Sequence, residues 1–384
     1  KIMKKILLIH NKYRYMGGED IAVENELNFL KERFEVQTLF FENNVKNVFS
    51  EIKSFILNKN TKSIKKLKIK MDEFQPDIVY VHNTWFKASV GIFKFLEKQN
   101  AEILLKIHNF RYFCTKNILA TNHFEDRVFC KACGLERSSM GIFNKYFQDS
   151  FLKSFIAIRY GKKYFKILKN SNLKILVLTD FHKKYLEKLG VDKSKLYVFR
   201  NYLEVDNNLK PINSKNYIIY AGRISKEKGV EKLIQAFLKC EFKDIKFKIV
   251  GQGPQKNKLQ EKYKNNSIEF LDQMSNSEVL NLIQNAISTV TSTSLFEGQP
   301  TLLCEASSLG VPSIFPNSGG IFEFFPEDYR LSFNYDSEED LILKLAEVTN
   351  HSKMSEYGII NNKFISKLLN KDQMFDKFEK IISK

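Results

Sequence analysis

No stretch of the 384 residues is apolar for long enough to cross a bilayer. The basic start, Lys1 to His10, has a short apolar core, Ile6-Leu7-Leu8-Ile9, and no small-residue cleavage site follows it. That is unlike a secretory signal and reads as the first buried strand of an α/β domain, in a cytoplasmic protein. Cysteine is sparse, with five residues. An odd count without an export signal argues against disulfides. Cys240 and Cys304 stand alone in apolar surroundings and read as core. Acidic side chains are missing from two long stretches, between Glu51 and Asp72 and between Asp149 and Asp180.

The length suits two domains, and 43% hydrophobic residues suffice for two cores. The net charge of +17 is unevenly spread. Residues 1–206 hold 38 Lys and Arg against 22 Asp and Glu, whereas residues 207–384 hold 23 against 22. The first half therefore faces something anionic, or carries lysines that merely decorate solvated faces.

Short apolar runs recur at 6–9, 36–40, 78–81, 103–107 and 175–178, then at 217–221, 247–250, 268–271, 288–291 and 312–315. Helical or loop material separates them, as in a parallel sheet covered on both faces. Residues 201–214 are polar and read as an interdomain linker. The expectation is two doubly wound domains, with ligands bound beyond the carboxyl ends of the strands, in the cleft separating the halves.

Four segments follow strands of the second half. Gly222-Arg223 to Lys228-Gly229 combines a planar fork and a point charge, both suited to phosphate oxygens, just ahead of a helix. Gly251-Gln252-Gly253-Pro254 permits close backbone approach or simply makes the turn. Glu297-Gly298-Gln299-Pro300 leads into Thr301-Leu302-Leu303-Cys304-Glu305, so two carboxylates eight residues apart flank a helix start. The amides of Thr301, Leu302 and Leu303 are candidates for a phosphate, and a carboxylate is a natural acceptor for paired sugar hydroxyls. Asn317-Ser318-Gly319-Gly320 is a fourth loop on the same side.

These residues together resemble glycosyltransferase family 4, over nearly the whole chain; the Glu-x7-Glu element is the most specific part. The resemblance implies an α/β GT-B fold, two Rossmann-like domains facing each other across a cleft. It implies an acceptor domain at 1–206, a nucleotide-sugar domain at 207–365, and a last helix within 366–384 that returns to the first domain. It also implies retaining transfer from a nucleotide sugar, UDP- or GDP-linked, with no cofactor and no metal. Arg223 and Lys228 then bind the donor diphosphate, with Gly18, Thr301 and Leu302. Gly251, Gly253 and Glu305 serve the nucleotide, with Glu305 on the ribose. Glu297 and His108 lie near the donor sugar as the catalytic candidates. Gly17, His82 and Asn83 fall on the acceptor side. Retention suggests attack on the face from which the diphosphate leaves, with no assigned protein nucleophile.

Cys114, His123, Cys130 and Cys133 have the chemistry of a tetrahedral zinc site, or are three reduced cysteines in a loop. The lysines at 59–70, and the lysines interleaved with Phe151, Leu152, Phe155, Ile156, Tyr164, Phe165 and Leu168, suit an anionic membrane surface. The second set equally suits a helix packed into its own domain. The expected partners are the nucleotide sugar, a glycan or lipid-linked oligosaccharide acceptor, and the inner face of the cell membrane. A nucleic-acid-binding module built on the basic half is the alternative outside enzymes. Within them it is another reaction on the GT-B fold. No nucleic acid is expected on the main reading.

Overall fold

The computed structural model describes residues 3–12, 18–42, 60–110, 112, 150–205 and 215–383. The chain divides into two compact units, residues 1–202 with 377–384, and residues 203–376. The division falls at 202/203 and inside the last helix, where the sequence suggested 206/207 and 365/366.

The first unit is built on β1 (Lys5–Lys12), β2 (Glu35–Glu42), β3 (Ile78–Val81), β4 (Glu102–Ile107), β5 (Lys174–Val177) and β6 (Leu196–Val198). The sheet order is β2-β1-β3-β4-β5-β6, parallel throughout. The connecting helices are α1 (Gly18–Lys31), α2 (Thr61–Phe74), α3 (Ile92–Leu96), α4 (Phe151–Asn170) and α5 (Asp180–Lys188). Ile6, Leu7, Leu8 and Ile9 are wholly buried in β1, because both sheet faces are covered. Each such side chain contributes about 1.5–3 kcal/mol.

Helix α1 departs from its sequence pattern. Ile21 and Leu27 are only half-buried, while Asp20 and Glu26 point inward. Both acids have partners there. Asp20 Oδ1 lies 2.8 Å from His10 Nε2. Glu26 Oε2 lies 2.6 Å from Lys106 Nζ, with both side chains fully buried, and Tyr80 donates to Glu26 Oε1 at 2.6 Å.

The second unit holds β7 (Tyr217–Ala221), β8 (Lys246–Val250), β9 (Ile268–Leu271), β10 (Ser288–Val290), β11 (Ser313–Pro316) and β12 (Ser332–Phe333). Its parallel order is β12-β11-β10-β7-β8-β9. Helices α6 (Val230–Lys239), α7 (Lys256–Lys262), α8 (Asn276–Gln284), α9 (Thr301–Ser308), α10 (Glu338–Ala346) and α11 (His351–Leu368) surround it. The order reverses between β7 and β10, so the loops leaving these two strands diverge around a crevice, the place where doubly wound sheets bind ligands.

The last helix, α12 (Lys371–Ser383), enters the first unit with its final residues. Phe378 packs against Phe34, Tyr80 and Phe199 at ring separations of 5.5, 5.8 and 5.3 Å. Lys4 and Lys174 donate to the carbonyls of Ile382 and Ile381, which cap the end of the helix. Among the described residues no helix is long and apolar enough to cross a membrane.

Candidate functional site

The crevice of the second sheet gathers all four loops singled out in the sequence. Gly222 N donates to Val250 O and Ile224 N to Gln252 O, both at 3.0 Å. Ser294 N donates to Glu227 O at 2.8 Å, and Gly320 N to Glu297 O at 3.1 Å. The loops after β7, β8, β10 and β11 thus form one hydrogen-bonded surface. Close backbone contact needs glycine at two points. Gly229 has φ +67°, and a Cβ there would overlap the Ser292 carbonyl. Gly251 has φ +136°, and a Cβ would overlap the Gly222 carbonyl.

Lys228 and Glu297, 69 residues apart in sequence, meet on this surface with Nζ 2.5 Å from Oε1. Thr293 donates to the same oxygen at 3.2 Å. Arg223 is exposed and makes no side-chain hydrogen bond or ion pair among the described residues. Its carbonyl accepts from Tyr220 at 2.8 Å, which anchors the backbone and leaves the guanidinium free to move. Helix α9 starts at Thr301 without a side-chain cap. Among the described residues the amides of Thr301 and Leu302 have no acceptor, whereas the Leu303 amide bonds to the Pro300 carbonyl at 3.1 Å. Two open amides remain from the three expected, because the first turn is tight.

Glu305 lies about one turn beyond Thr301 along α9 and is only 5% exposed. Burial pushes its carboxyl up to about 7, against the opposing pull of a hydrogen bond with Asn276. Beside Gly251 and Gly253, Gln252 and Lys256 both bond to Asp272 Oδ1, at 2.9 and 2.6 Å. Thr293 and Asn276 were not singled out in the sequence. The hydroxyl run Ser292-Thr293-Ser294 directly after β10 was the signal for the first. Asn276 had none, since its partner lies 29 positions away.

In the first unit, Gly18 opens α1 and is exposed, while Gly17 lies outside the described residues. His82, Asn83, Thr84, His108 and Asn109 follow β3 and β4 and line one pocket with Glu19, Lys106 and Tyr160. Asn83 is largely a backbone clamp: its amide donates to Asn11 O at 3.0 Å and its carbonyl accepts from Trp85 N at 2.9 Å. His82 Nδ1 lies 2.9 Å from His108 Nε2. Burial, with Lys106 and His10 nearby, holds both imidazoles well below their usual range, so both are neutral. Lys106 is likewise lowered by burial, opposed by Glu26.

Cys114, His123, Cys130 and Cys133 lie outside the described residues. Among the described residues no group of three His, Cys, Asp or Glu side chains is placed to hold a metal ion. In α2 the lysines 62, 65, 66 and 68 are exposed, with Ile69 48% exposed among them. In α4 the expected aromatic anchors divide. Ile156, Tyr164, Phe165 and Leu168 are core residues of their own unit, whereas Phe151 and Leu152 at the helix start are more than half exposed.

Residues 204–363 match the family model described as glycosyl transferases group 1. The amylovoran biosynthesis glycosyltransferase AmsD of Erwinia amylovora is 27% identical over 164 residues, 40% of this chain and 46% of that protein. The chain thus spans less than half the length of this curated relative. Among solved structures, sucrose-phosphate synthase from Thermosynechococcus elongatus superposes with a TM-score of 0.73 at 13% identity, covering 99% of both chains. HepE from Anabaena, solved with UDP-glucose, superposes with a TM-score of 0.70 at 14% identity, over 99% of this chain and 100% of that one. With two parallel six-stranded sheets, these likenesses show an α/β protein with the two-domain GT-B fold.

Proposed function

We propose that this protein is a glycosyltransferase that moves a sugar from a nucleotide diphosphate to an acceptor glycan, with retention of anomeric configuration and without a divalent metal. The observation that carries the reading is the surface at the crevice of the second unit. There a lysine, an arginine, two open helix amides and two carboxylates are held by four interlocked loops. The match of this region to the group 1 family model supports the same reading. UDP-glucose in the HepE structure supports a nucleotide-sugar donor, with UDP- or GDP-linked sugars as the candidates.

In this mechanism the leaving diphosphate gathers negative charge, and fixed positive groups stabilise it most where charge develops. Arg223 and Lys228 supply two cations, and Thr301 and Leu302 supply N–H donors at the helix start. Glu297 accepts from hydroxyls of the transferred sugar and Glu305 from the ribose. Gly251 and Gly253 let the backbone approach the nucleoside. His108 contacts the transferred sugar, and the acceptor binds on the side of His82. The acceptor hydroxyl attacks on the face that the diphosphate vacates.

The acceptor is proposed to be lipid-linked and part of cell-surface polysaccharide synthesis. The exposed lysines of α2 and the apolar pair Phe151-Leu152 support a peripheral position on the inner face of the cell membrane. The reading of the basic half as a nucleic-acid module is not favoured, because it leaves the crevice of the second unit without a purpose.

Thermal unfolding with UDP-, GDP- and ADP-sugars tests the donor, since a ligand at 100 times its Kd stabilises by about 2.7 kcal/mol. Transfer assays on the stabilising sugar then follow, with the anomeric configuration of the product read by NMR. Absence of stabilisation by every nucleotide diphosphate tried would refute the proposal. Flotation with anionic and neutral vesicles tests the membrane reading, which fails if neither vesicle carries the protein.

A further inference from the structure

The first unit buries an unusual set of polar side chains beneath its pocket, and one pair fixes more than position. His82 Nδ1 and His108 Nε2 are 2.9 Å apart, with rings inclined by 23°. Two neutral imidazoles share one hydrogen bond by pairing one N–H with one lone pair, so two tautomeric arrangements are open. The far side of His82 distinguishes them. Its Nε2 is buried and has no hydrogen-bond partner among the described residues. The residue is 2% exposed, and the Tyr80 ring lies 4.4 Å from it. A proton on Nε2 would strand a buried donor, the costlier defect. A bare Nε2 leaves only a lone pair unused.

We propose that His82 is a positioning residue: it carries its proton on Nδ1, donates to His108 Nε2, and so fixes His108 as the neutral Nδ1–H tautomer, a hydrogen-bond donor toward substrate. With Nε2 occupied and Nδ1 already protonated, His108 has no free lone pair with which to take a proton from an acceptor. It donates to a sugar oxygen instead.

Burial and the basic groups around the pair favour its neutral form. His10 lies against His82 from β1, with Asp20 of α1 bonded to its outer nitrogen. Tyr80 precedes it on β3. Lys106 of β4 is matched by Glu26 of α1. His182 of α5 also acts on His108, and its own nitrogen is bonded to Tyr112. Glu19 of α1 and Tyr160 and Tyr164 of α4 also line the pocket. Lys106, His10 and His182 all disfavour a charge on His108, and Lys106 and His10 disfavour one on His82.

The tautomer stands independently of the reaction; only its use on a sugar rests on the glycosyltransferase reading. Two experiments separate them. Long-range proton–nitrogen NMR on the whole 15N-labelled protein reports which nitrogen of each ring carries the proton. His108→Asn identifies the His108 signals by their loss. The expected result is Nδ1–H and bare Nε2 for both rings, unchanged from pH 6 to pH 8. Protonation of His108 Nε2, or of both its nitrogens, in that range overturns the proposal.

The second experiment compares His108→Asn, whose amide nitrogen stands near the Nδ1 position, with His108→Gln, whose amide nitrogen stands near Nε2. The Asn variant should retain a kcat about tenfold above the Gln variant, the value of one hydrogen bond at the pocket. Equal rates, or a faster Gln variant, overturn the donor role. If the NMR result holds while the wild-type protein transfers no sugar from any nucleotide, the positioning stands and the functional reading falls.

Discussion

Replacing Glu305 by Gln should make the free protein more stable at alkaline pH while weakening its hold on nucleotide. The side chain is 5% exposed, and burial raises its carboxyl from the ordinary 4.5 to about 7. A folded-state value above the unfolded one means that the folded protein binds the proton more tightly. The associated stability is present in full below about pH 4.5 and is lost as pH rises through about 7. At roughly 1.36 kcal/mol per pH unit, the complete loss approaches about 3 kcal/mol, most of it between pH 5 and pH 8. Glutamine has nearly the same shape and does not ionise, so the variant escapes this loss. Urea unfolding at pH 5 and pH 8 measures the effect, with the midpoint moving and the slope unchanged. The stability gap between variant and wild type should widen by about 2–3 kcal/mol toward pH 8. Nucleotide binding should respond in the opposite sense. Ribose hydroxyls are donors, and a carboxylate accepts from them better than an amide, at roughly 1.5–3 kcal/mol per charged hydrogen bond. Wild-type affinity should therefore tighten as pH rises through about 7, and the variant should bind at least about tenfold more weakly at pH 8. A gap that stays constant with pH refutes the ionisation argument, and unchanged nucleotide affinity in the variant refutes the ribose role.

Lys228→Ala and Arg223→Ala should each lower kcat by about 10²-fold or more, the scale of losing one preorganised group at the leaving charge. Their unfolding curves should stay within about 1 kcal/mol of wild type, because the Lys228–Glu297 pair is partly solvated, with side chains 29% and 24% exposed. Lys106→Met should destabilise the protein by about 3–5 kcal/mol in chemical unfolding, since it leaves Glu26 buried without its cation. The double variant Lys106→Met/Glu26→Gln should recover a large part of that loss. Gly251→Ala should weaken nucleotide binding in calorimetry, as its methyl group meets the Gly222 carbonyl and parts two of the four loops. Transfer in the presence of EDTA should match transfer without it.

The strands were legible because parallel sheets covered on both faces demand short, wholly apolar segments. Ile78–Val81, Tyr217–Ala221 and Ile268–Leu271 stand at the positions their apolar runs indicate. Leu196–Val198 and Ser332–Phe333 were missed for a related reason. Both are edge strands of two or three residues, too short for any pattern to register. Helix α1 misleads for a different one. Its Asp20 and Glu26 look like surface residues by type, and only His10 and Lys106, on different strands, turn them inward. Pairing across strands has no local signature in sequence. The same limit hid Asn276 and the His82–His108 contact, whereas Arg223, Lys228 and Glu297 sit in loops whose glycines announce them.

The geometry also explains how one carboxylate serves two tasks on the proposed reading. Lys228 and Thr293 both donate to Oε1 of Glu297, and no described residue donates to Oε2. An ammonium has three N–H groups, so Lys228 keeps two for phosphate oxygens without breaking its pair. Oε2 then remains for hydroxyls of the sugar attached to that same diphosphate. Glu297 thereby links the two ends of the scissile bond: it holds the cation that receives the leaving diphosphate and accepts from the sugar ring that is transferred. Glu297→Gln preserves the shape and removes the charge, so its effects should appear together, as weaker diphosphate binding and slower transfer. A carboxylate that touched only the sugar would slow transfer and leave affinity for the free nucleoside diphosphate unchanged, and calorimetry with that product separates the two cases.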